Sequence, residues 1–368
     1  MLESFLFKVQ DHRRKQGCRY QLGHILLFSI FAILCNANSY RKIHQFIKAH
    51  YQMLKAEFHL EWKRVPAYTT IRDIIKGVSP AALEDSFRHY SSALVNPETS
   101  KRYLAFDGKV LRGSFDHFQD QDALQILNVF ATAPRIILAH QEIADKTNEI
   151  PTAQELIFKL GLENYIFTFD AINCQEKTLE AAKETNNDVI VQVKGNQKTL
   201  LNDCIAAGET MPPSAVYEEP LHKERNRIES RKAEVFQNME ITDHEKWNRV
   251  NAIVKIDRKR EIFNTKTKQW QNADETSYYI STISLDAEEF CSVIRNHWSI
   301  ENANHYVRDV SMDEDKSRIR INPNIFAKLR SFALNIMRAN QVKNVSAERY
   351  DNCLNFVKVL NYRGIQKN

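Results

Sequence analysis

The sequence predicts a mixed α/β protein with an all-helical N-terminal segment and a β-rich insertion. Three observations lead to this fold class. Residues before about 100 carry helix-capping signals, whereas short apolar runs typical of strands begin at Tyr103. Between about Gln197 and Leu285, strand-like runs follow one another along the chain. A long helix then begins after Asp286, which is a candidate N-cap.

The composition is that of an ordinary globular chain long enough for two or three domains. The 368 residues are 43% hydrophobic and 26% charged, with a formal net charge of +5, which permits a nucleic-acid partner without requiring one. Six scattered cysteines without a Cys-x-x-Cys pair predict a reducing, cytoplasmic setting and disfavour a cysteine-based zinc site. The apolar run Ile25 to Cys35 is too short to span a bilayer, so we expect a buried helix and no membrane partner.

Helix signals define the N-terminal segment, residues 1–100. The run Leu22–Asn36 predicts a buried helix, and N-cap candidates for three more helices are Ser39, then Thr69 or Thr70, then Ser79 followed by Pro80. Basic residues lie at the helix edges: Arg13, Arg14, Lys15, Arg19, Arg41, Lys42, Lys63, Arg64 and Arg72. Two interpretations stay open, a helical DNA-binding domain and a packing or dimerisation domain with solvated charges.

Strand and helix patterns alternate in residues 101–197 and resume in 286–345, which we assign to one α/β core. "YLAFDGKVL" is a first strand, and "LQILNVFATA" and "RIILAHQEI" predict a hairpin that turns near Pro134. "YIFTFDA" and "DVIVQVKGNQ" then alternate with helices, which favours a mixed sheet. Residues 198–285 form the predicted β-rich insertion, and 346–368 form a short polar tail.

Two aspartates end apolar strands in this core. Asp107 follows "YLAF" and Asp170 follows "YIFTF". A single aspartate after a buried run is usually a turn former or a helix cap. Two such aspartates, joined by a glutamate from a helix, satisfy the demand of Mg²⁺ for a few hard carboxylate oxygens. Glu301 is the candidate glutamate.

The helix around Glu301 presents polar groups along one face. At about 100° per residue, His297, Glu301, His305 and Arg308 fall within a narrow sector of an ideal helix. The alternative interpretation of this face is a zinc or iron site formed by His297, His305 and Glu301. That alternative leaves the two strand aspartates without a role and needs further ligands.

Several motifs in one order resemble the DDE transposases of the ISAs1 group, also called H-repeat-associated proteins, which are related to IS4-like transposases. The resemblance covers nearly the whole chain. It rests on these stretches: "DHRRKQGCRYQLGHILLFSIFAIL", "YTTIRDIIKGVSPAALEDSF", "FDGKVLRGS", "DKTNEIPTAQELI", "TFDAINCQ", "VKGNQKTLL", "RIESR", "YYIS", "RNHWSIENANHYVRDVSMDEDKSRIR" and "LRSFALNIMR". It implies an RNase H-like core in which Asp107, Asp170 and Glu301 hold two Mg²⁺ ions, for which Mn²⁺ can substitute.

The resemblance also implies which cations contact DNA. IS4-like enzymes carry a tyrosine, an arginine and a lysine at −7, −4 and +7 from the glutamate, where this chain has Ile294, His297 and Arg308. We expect His297 and Arg308 to contact DNA, although the lost phenol weakens the parallel. Other candidate phosphate contacts are Lys109, Arg112, Lys194, Arg227, Arg231, Arg318 and Arg320. Solvated surface charge is the alternative for each of them.

The implied activity is Mg²⁺-dependent cleavage of the ends of an insertion sequence and their transfer to target DNA. The implied partners are double-stranded DNA, as terminal repeats and as target, and a second copy of the chain assembled on that DNA. The implied location is the nucleoid. A catalytically inactive DNA-binding relative and a metal-dependent nuclease without strand transfer remain the alternatives.

Overall fold

The computed structural model describes most of the chain, namely residues 1–14, 16, 18–95, 102–115, 122–143, 149–224 and 226–365. Lys15, one of the basic residues noted above, lies outside the described residues. The chain divides into two compact units. Unit 1 comprises residues 1–101, 108–146 and 301–368, and unit 2 comprises residues 102–107 and 147–300.

The helices and strands follow the chain in this order. The helices are α1 (Leu2–Leu6), α2 (Leu22–Leu34), α3 (Tyr40–Ala49), α4 (Tyr51–Glu57), α5 (Tyr68–Lys76), α6 (Pro80–Leu94), α7 (Glu149–Leu160), α8 (Glu176–Glu184), α9 (Lys198–Thr210), α10 (Ala287–His297), α11 (Pro323–Ala339), α12 (Val345–Leu354) and α13 (Val357–Leu360). The strands are β1 (Tyr103–Val110), β2 (Gln125–Ala131), β3 (Ile136–Ile143), β4 (Ile166–Phe169), β5 (Asp188–Val193), β6 (Ala215–Glu218), β7 (His222–Glu224), β8 (Arg227–Phe236), β9 (Ala252–Asn264), β10 (Gln269–Asn272) and β11 (Glu275–Ser281).

Local capping chemistry places the N-terminal helices of unit 1. The hydroxyl of Ser39 accepts a hydrogen bond from Lys42 N, and that of Ser79 accepts one from Ala82 N, so both predicted caps are confirmed. The cap predicted at Thr69 or Thr70 is wrong. Both threonines lie inside α5, because the backbone is already helical at Tyr68 and the extended residue before it is Ala67.

The core of unit 1 is built around α2 and α11. Every residue of α2 is buried, because the helix is apolar on nearly all sides, and it packs against α1, α3 and α11. The predicted hairpin is confirmed, since β2 and β3 pair antiparallel. The tail was predicted to be polar, but it forms α12 and α13 and buries Phe356, Val359 and Tyr362 against unit 1.

The insertion strands of unit 2 extend the same sheet as the core strands. Within this unit the strand order is β1-β4-β5-β11-β9-β8-β6, with β7 on β8 and β10 on β9. Strands β1, β4 and β5 run parallel, and β11 pairs antiparallel with β5. The compact units therefore do not follow the predicted division into core and insertion, because main-chain hydrogen bonds join β5 to β11. The insertion also begins with α9 before its first strand.

The predicted fold class, a mixed α/β protein with an RNase H-like core, is confirmed. The parallel strands of unit 2 and the antiparallel hairpin of unit 1 are consistent with such a core. Within the described residues, no helix is both long and apolar enough to cross a membrane.

Candidate active site

Asp107 and Asp170 lie at the same edge of the unit 2 sheet. The neighbouring strands β1 and β4 run parallel, and Ala105 pairs with Thr168 two residues before the aspartates. Parallel strands in this register lie about 4.8 Å apart and turn equivalent side chains to one face. The register therefore brings the two carboxylates together just beyond the last paired residues of β1 and β4. Asp170 follows its strand as predicted, but the predicted strand-end position of Asp107 is wrong, because β1 continues past it to Val110.

A third carboxylate lies beside this pair. Glu149 is the first residue of α7, which packs against the turn that follows Asp170. The buried side chain of Asn173 connects the two acids, because its Nδ2 donates to Glu149 Oε1 and to Asp170 Oδ1, each at 3.4 Å. The two carboxylate oxygens therefore lie within about 7 Å of each other.

The pKa values of Asp170 and Glu149 are raised. Burial raises the pKa of Asp170, and the negative charge of Asp107 raises it further. Burial also raises the pKa of Glu149, and Asp170 and Asp107 add to this effect. Without a bound cation, this cluster of negative charge disfavours the ionised forms of Asp170 and Glu149 in the folded protein. A bound cation would reverse that preference.

The segment after β5, residues 194–197, contacts the turn that follows Asp170. Lys194 directly follows β5, is exposed, and lies close enough to Asp170 to lower the pKa of that carboxyl slightly. The side chain of Asn196 donates to Ala171 O at 2.7 Å, and that of Gln197 donates to Cys174 O at 2.9 Å. These bonds fix the turn that carries Asp170, so the "VKGNQ" motif positions an acid as well as presenting a cation.

Glu301 lies in unit 1 and does not continue a regular α-helix. The helix α10 ends at His297, and wider π-helical turns run from Ile300 to His305 and from Val307 to Ser311. Glu301 is exposed. The prediction of four polar side chains on one α-helical face is therefore wrong, because the winding changes before Glu301. Short π-helical segments occur frequently at functional sites.

His297 does not present a charged ring to DNA. Its side chain is 6% exposed, and its Nδ1 lies 2.8 Å from the Thr168 hydroxyl. Burial lowers the pKa of His297 to about 4, against an opposing effect of Asp107. The ring is therefore neutral at neutral pH, and the predicted phosphate contact is corrected to a role in packing on β4.

Lys109 and Arg308 are also corrected, because they belong to a buried ion cluster in unit 1. Glu314 is 3% exposed and lies 2.8 Å from Arg308 Nη2, 3.7 Å from Lys109 Nζ and 3.8 Å from Arg330 Nη1. Lys109 also pairs with Asp309. Arg308 has no exposed surface, and Lys109 is 6% exposed, so neither side chain can reach a phosphate in this conformation.

The remaining candidate cations fall into two groups. Arg227 and Arg231 are partly buried and form ion pairs with Glu229, and Arg231 also pairs with Glu219 at 3.1 Å. The exposed cations, which remain available to a phosphate, are Arg112, Lys194, Arg318 and Arg320. Of these, Arg112 lies 3.6 Å from Asp315.

Sequence reasoning missed Glu149, Asn173 and Asn196. All three lie in motifs that carry the family resemblance, but their spacing gives no sign of contact with Asp170.

The two strand aspartates provide hard oxygen donors of the kind that Mg²⁺ prefers. As the described side chains stand, no group of three or more His, Cys, Asp or Glu residues is arranged to hold a metal ion.

Comparison with known proteins places these features in context. The family model described as "Transposase DDE domain" matches residues 99–336, and the one described as "DDE_Tnp_1-associated" matches residues 4–91. The protein named "H repeat-associated putative transposase YhhI" of Escherichia coli strain K12 is 28% identical to this chain. The match covers 93% of this chain and 91% of that protein. YbfL of the same strain is 29% identical over the same shares.

A solved structure was also matched. The piggyBac transposase synaptic complex with hairpin DNA gives a TM-score of 0.39 at 10% identity, and the match covers 98% of this chain and 79% of that one.

Proposed function

This chain belongs to the Transposase DDE domain family, and we propose that it cuts the ends of an insertion sequence and joins them to target DNA with the help of divalent metal ions. The observation that carries the proposal is the pair Asp107 and Asp170, each two residues beyond the Ala105–Thr168 pair of the adjacent parallel strands β1 and β4. Lys194 lies at the same edge, so acids and a cation occur where a metal and a phosphate would be bound together.

Asp107, Asp170 and Glu301 are the proposed metal-holding acids. Carboxylate oxygens fit Mg²⁺, and Mn²⁺ accepts the same donors. When two such ions are bound, they activate the attacking oxygen and stabilise the leaving oxygen of an in-line displacement at phosphorus. Burial and the charge of Asp107 raise the pKa of Asp170, and a bound cation would favour the ionised form of this carboxyl.

The protein's own contribution is to position DNA and to neutralise its charge. The exposed cations Lys194, Arg318 and Arg320 are the proposed phosphate contacts, with Arg112 as a further one. Asn173, Asn196 and Gln197 hold the turn of Asp170 in place, so the carboxylate is preorganised before DNA arrives. Cutting an end and joining it to target DNA are both displacements at phosphorus, so one site serves both steps.

Assembly and location follow from the same proposal. Two element ends have to be held together during transfer, so we expect a homodimer that forms on DNA and works at the nucleoid. Binding should weaken steeply as salt rises, because the contacts are mainly between cations and phosphates.

The test is an assay on labelled DNA that carries the element ends, with Mg²⁺ or Mn²⁺ present. The native protein is compared with Asp107→Asn, Asp170→Asn and Glu301→Gln. We expect nicked and joined products from the native protein, and neither product from the variants, although these still bind DNA. Cleavage without joining would indicate a nuclease instead, and binding without cleavage would indicate an inactive relative. Activity that survives in Asp107→Asn and Asp170→Asn would overturn the proposed site.

A further inference from the structure

A basic cleft lies in the N-terminal part of unit 1, far along the chain from the acids. It has a volume of about 840 Å³ and lies between the segment before α2, the helix α3 and the segment that leads into α5. Its polar lining includes Arg13, Gln16, Arg19, His44, Arg64 and Thr70. The described lining contains no Asp or Glu, so the cleft carries a net positive charge. We call it the arginine cleft.

The three arginines differ in what they already bind. Arg13 forms two hydrogen bonds with Asp11, of 2.9 and 2.7 Å, and donates to Tyr20 O at 2.6 Å, so its guanidinium is fixed and its charge is neutralised. Arg19 and Arg64 are exposed, and neither forms an ion pair with any residue that the structure describes. Arg13 therefore shapes the wall of the cleft, while Arg19 and Arg64 supply its charge.

The walls of the cleft are built on packed residues. The ring of Tyr20 packs edge-on against Trp62 at 5.1 Å between centroids, and Trp62 is 4% exposed. The Nδ1 of His44 lies 2.9 Å from Pro66 O, a carbonyl that only accepts, so this nitrogen carries the hydrogen. These contacts hold the segments on either side of the cleft in place, which lowers the entropic cost of binding.

A second concavity, in unit 2, is also lined by arginines, but these are paired with acids of the protein. It has a volume of about 550 Å³, and its lining includes Arg231 and Arg258. These two pair with Glu219 and Glu229, and further acids line the same surface. The charges of Arg231 and Arg258 are therefore neutralised within the protein, whereas Arg19 and Arg64 of the arginine cleft are available to a ligand.

We infer that the arginine cleft binds the phosphodiester backbone of double-stranded DNA at the element end. Guanidinium groups pair well with phosphate oxygens, and a cleft of this size has room for more than one phosphate. The inference rests on the proposed function for the identity of the DNA. It adds a binding site that is separate in sequence from the acids, and it favours the DNA-binding interpretation of residues 1–100.

The test uses the full-length protein with Arg19→Gln and Arg64→Gln, singly and together. The matched control is Lys63→Gln, since Lys63 is exposed and adjacent to Arg64 but does not line the cleft. Affinity for an end-containing duplex is measured over a range of salt concentrations. We expect the double variant to bind at least tenfold more weakly at about 0.1 M salt, and the slope of log K against log salt to fall by roughly 1 to 2. Lys63→Gln should change affinity less than threefold.

Several results would overturn the inference. One is an equal loss of affinity in Lys63→Gln and in the double variant, and another is an unchanged salt slope. Retained duplex binding, with inorganic phosphate binding lost in the double variant, would assign the cleft to a small anion instead. Melting curves of each variant check that the fold is intact, and the single variants provide the comparison if the double variant is unstable.

The same samples separate this inference from the proposed function. If the native protein cuts DNA ends and the cleft variants bind and cut as the native protein does, the cleft assignment fails while the function stands. If the native protein binds DNA through Arg19 and Arg64 but never cuts it, the function fails while the cleft assignment stands.

Discussion

Asp170 and Glu149 in unit 2 and Glu314 in unit 1 are all acids with at least partly buried side chains, but the main charges around them have opposite signs. Burial by itself would raise the pKa of Glu314, but Arg308, Arg330 and Lys109 outweigh it and hold that pKa below its usual range. Burial raises the pKa of Asp170, where a second acid adds to the effect and Lys194 opposes it only weakly. Among the described residues, no cation lowers the pKa of Glu149.

This contrast separates an acid that the protein's own cations stabilise from acids that have little positive charge around them. Glu314 lies within 4 Å of three cations of the protein, which come from three parts of unit 1. Asp170 and Glu149 accept hydrogen bonds from Asn173, but little positive charge surrounds them. Such an arrangement costs stability in the absence of a cation, as functional sites commonly do.

The largest expected effect is the loss of the structural acid. Glu314→Gln leaves Arg308 and Arg330 buried without their counter-charge, so unit 1 should lose about 3–5 kcal/mol of its free energy of unfolding. Thermal and denaturant unfolding measure this loss. Glu57→Gln, at an exposed glutamate of α4, is the control and should change stability by less than about 0.5 kcal/mol. Equal effects of the two substitutions would remove the contrast.

The second effect has the opposite sign. In chelator-treated protein at pH 7, Asp170→Asn removes a disfavoured charge, so we expect it to stabilise unit 2 by on the order of 1 kcal/mol, or roughly 2–4 °C in melting temperature. Because the folded pKa of Asp170 is raised, the gain should be present above that pKa and disappear as pH falls to the unfolded value of 3.8. A destabilised Asp170→Asn protein at pH 7 would contradict this account.

A third prediction compares exposed and buried cations. Arg318→Ala removes a proposed phosphate contact, so the salt dependence of DNA binding should lose about one unit of slope while the melting temperature stays unchanged. Arg308→Ala should lower the melting temperature instead, because Arg308 is buried against Glu314 and Asn128. Binding titrations and melting curves on both variants decide whether the two arginines differ as described.

The smallest expected effect is at His297. Since burial lowers its pKa to about 4, its ring signals should stay constant between pH 8 and pH 5.5 in the folded protein. Histidine-selective NMR labelling, with His297→Gln to identify the signal, follows the ring. In denaturant the same signal should titrate normally. A titration midpoint above pH 6 in the folded protein would restore His297 as a candidate phosphate contact.

Sequence reasoning succeeded where the determining interactions are local. The caps at Ser39, Ser79 and Asp286 each bond a backbone N–H three residues further on, and the β2–β3 hairpin closes over a short turn. The strand-end position of Asp170 follows from an apolar run that is visible in the sequence, whereas β1 continues three residues past Asp107.

It failed where distant residues decide the outcome. Arg308 appeared to be a surface cation, but it is bonded to Asn128, about 180 residues earlier. Asn173 bonds to Glu149 only because α7 packs on the turn after β4. The change to π-helical winding before Glu301 has no periodicity that a helical wheel detects, so it was missed.

If the proposal is right, the acids at the edge of the unit 2 sheet hold a divalent cation. The most direct measurement is Mn²⁺ binding to the DNA-free protein by electron paramagnetic resonance, with native protein, Asp107→Asn, Asp170→Asn and Glu57→Gln compared. We predict saturable binding by native protein and Glu57→Gln, and a loss of at least tenfold in affinity for both aspartate variants. Mn²⁺ binding that is unchanged in Asp107→Asn and Asp170→Asn would contradict the claim.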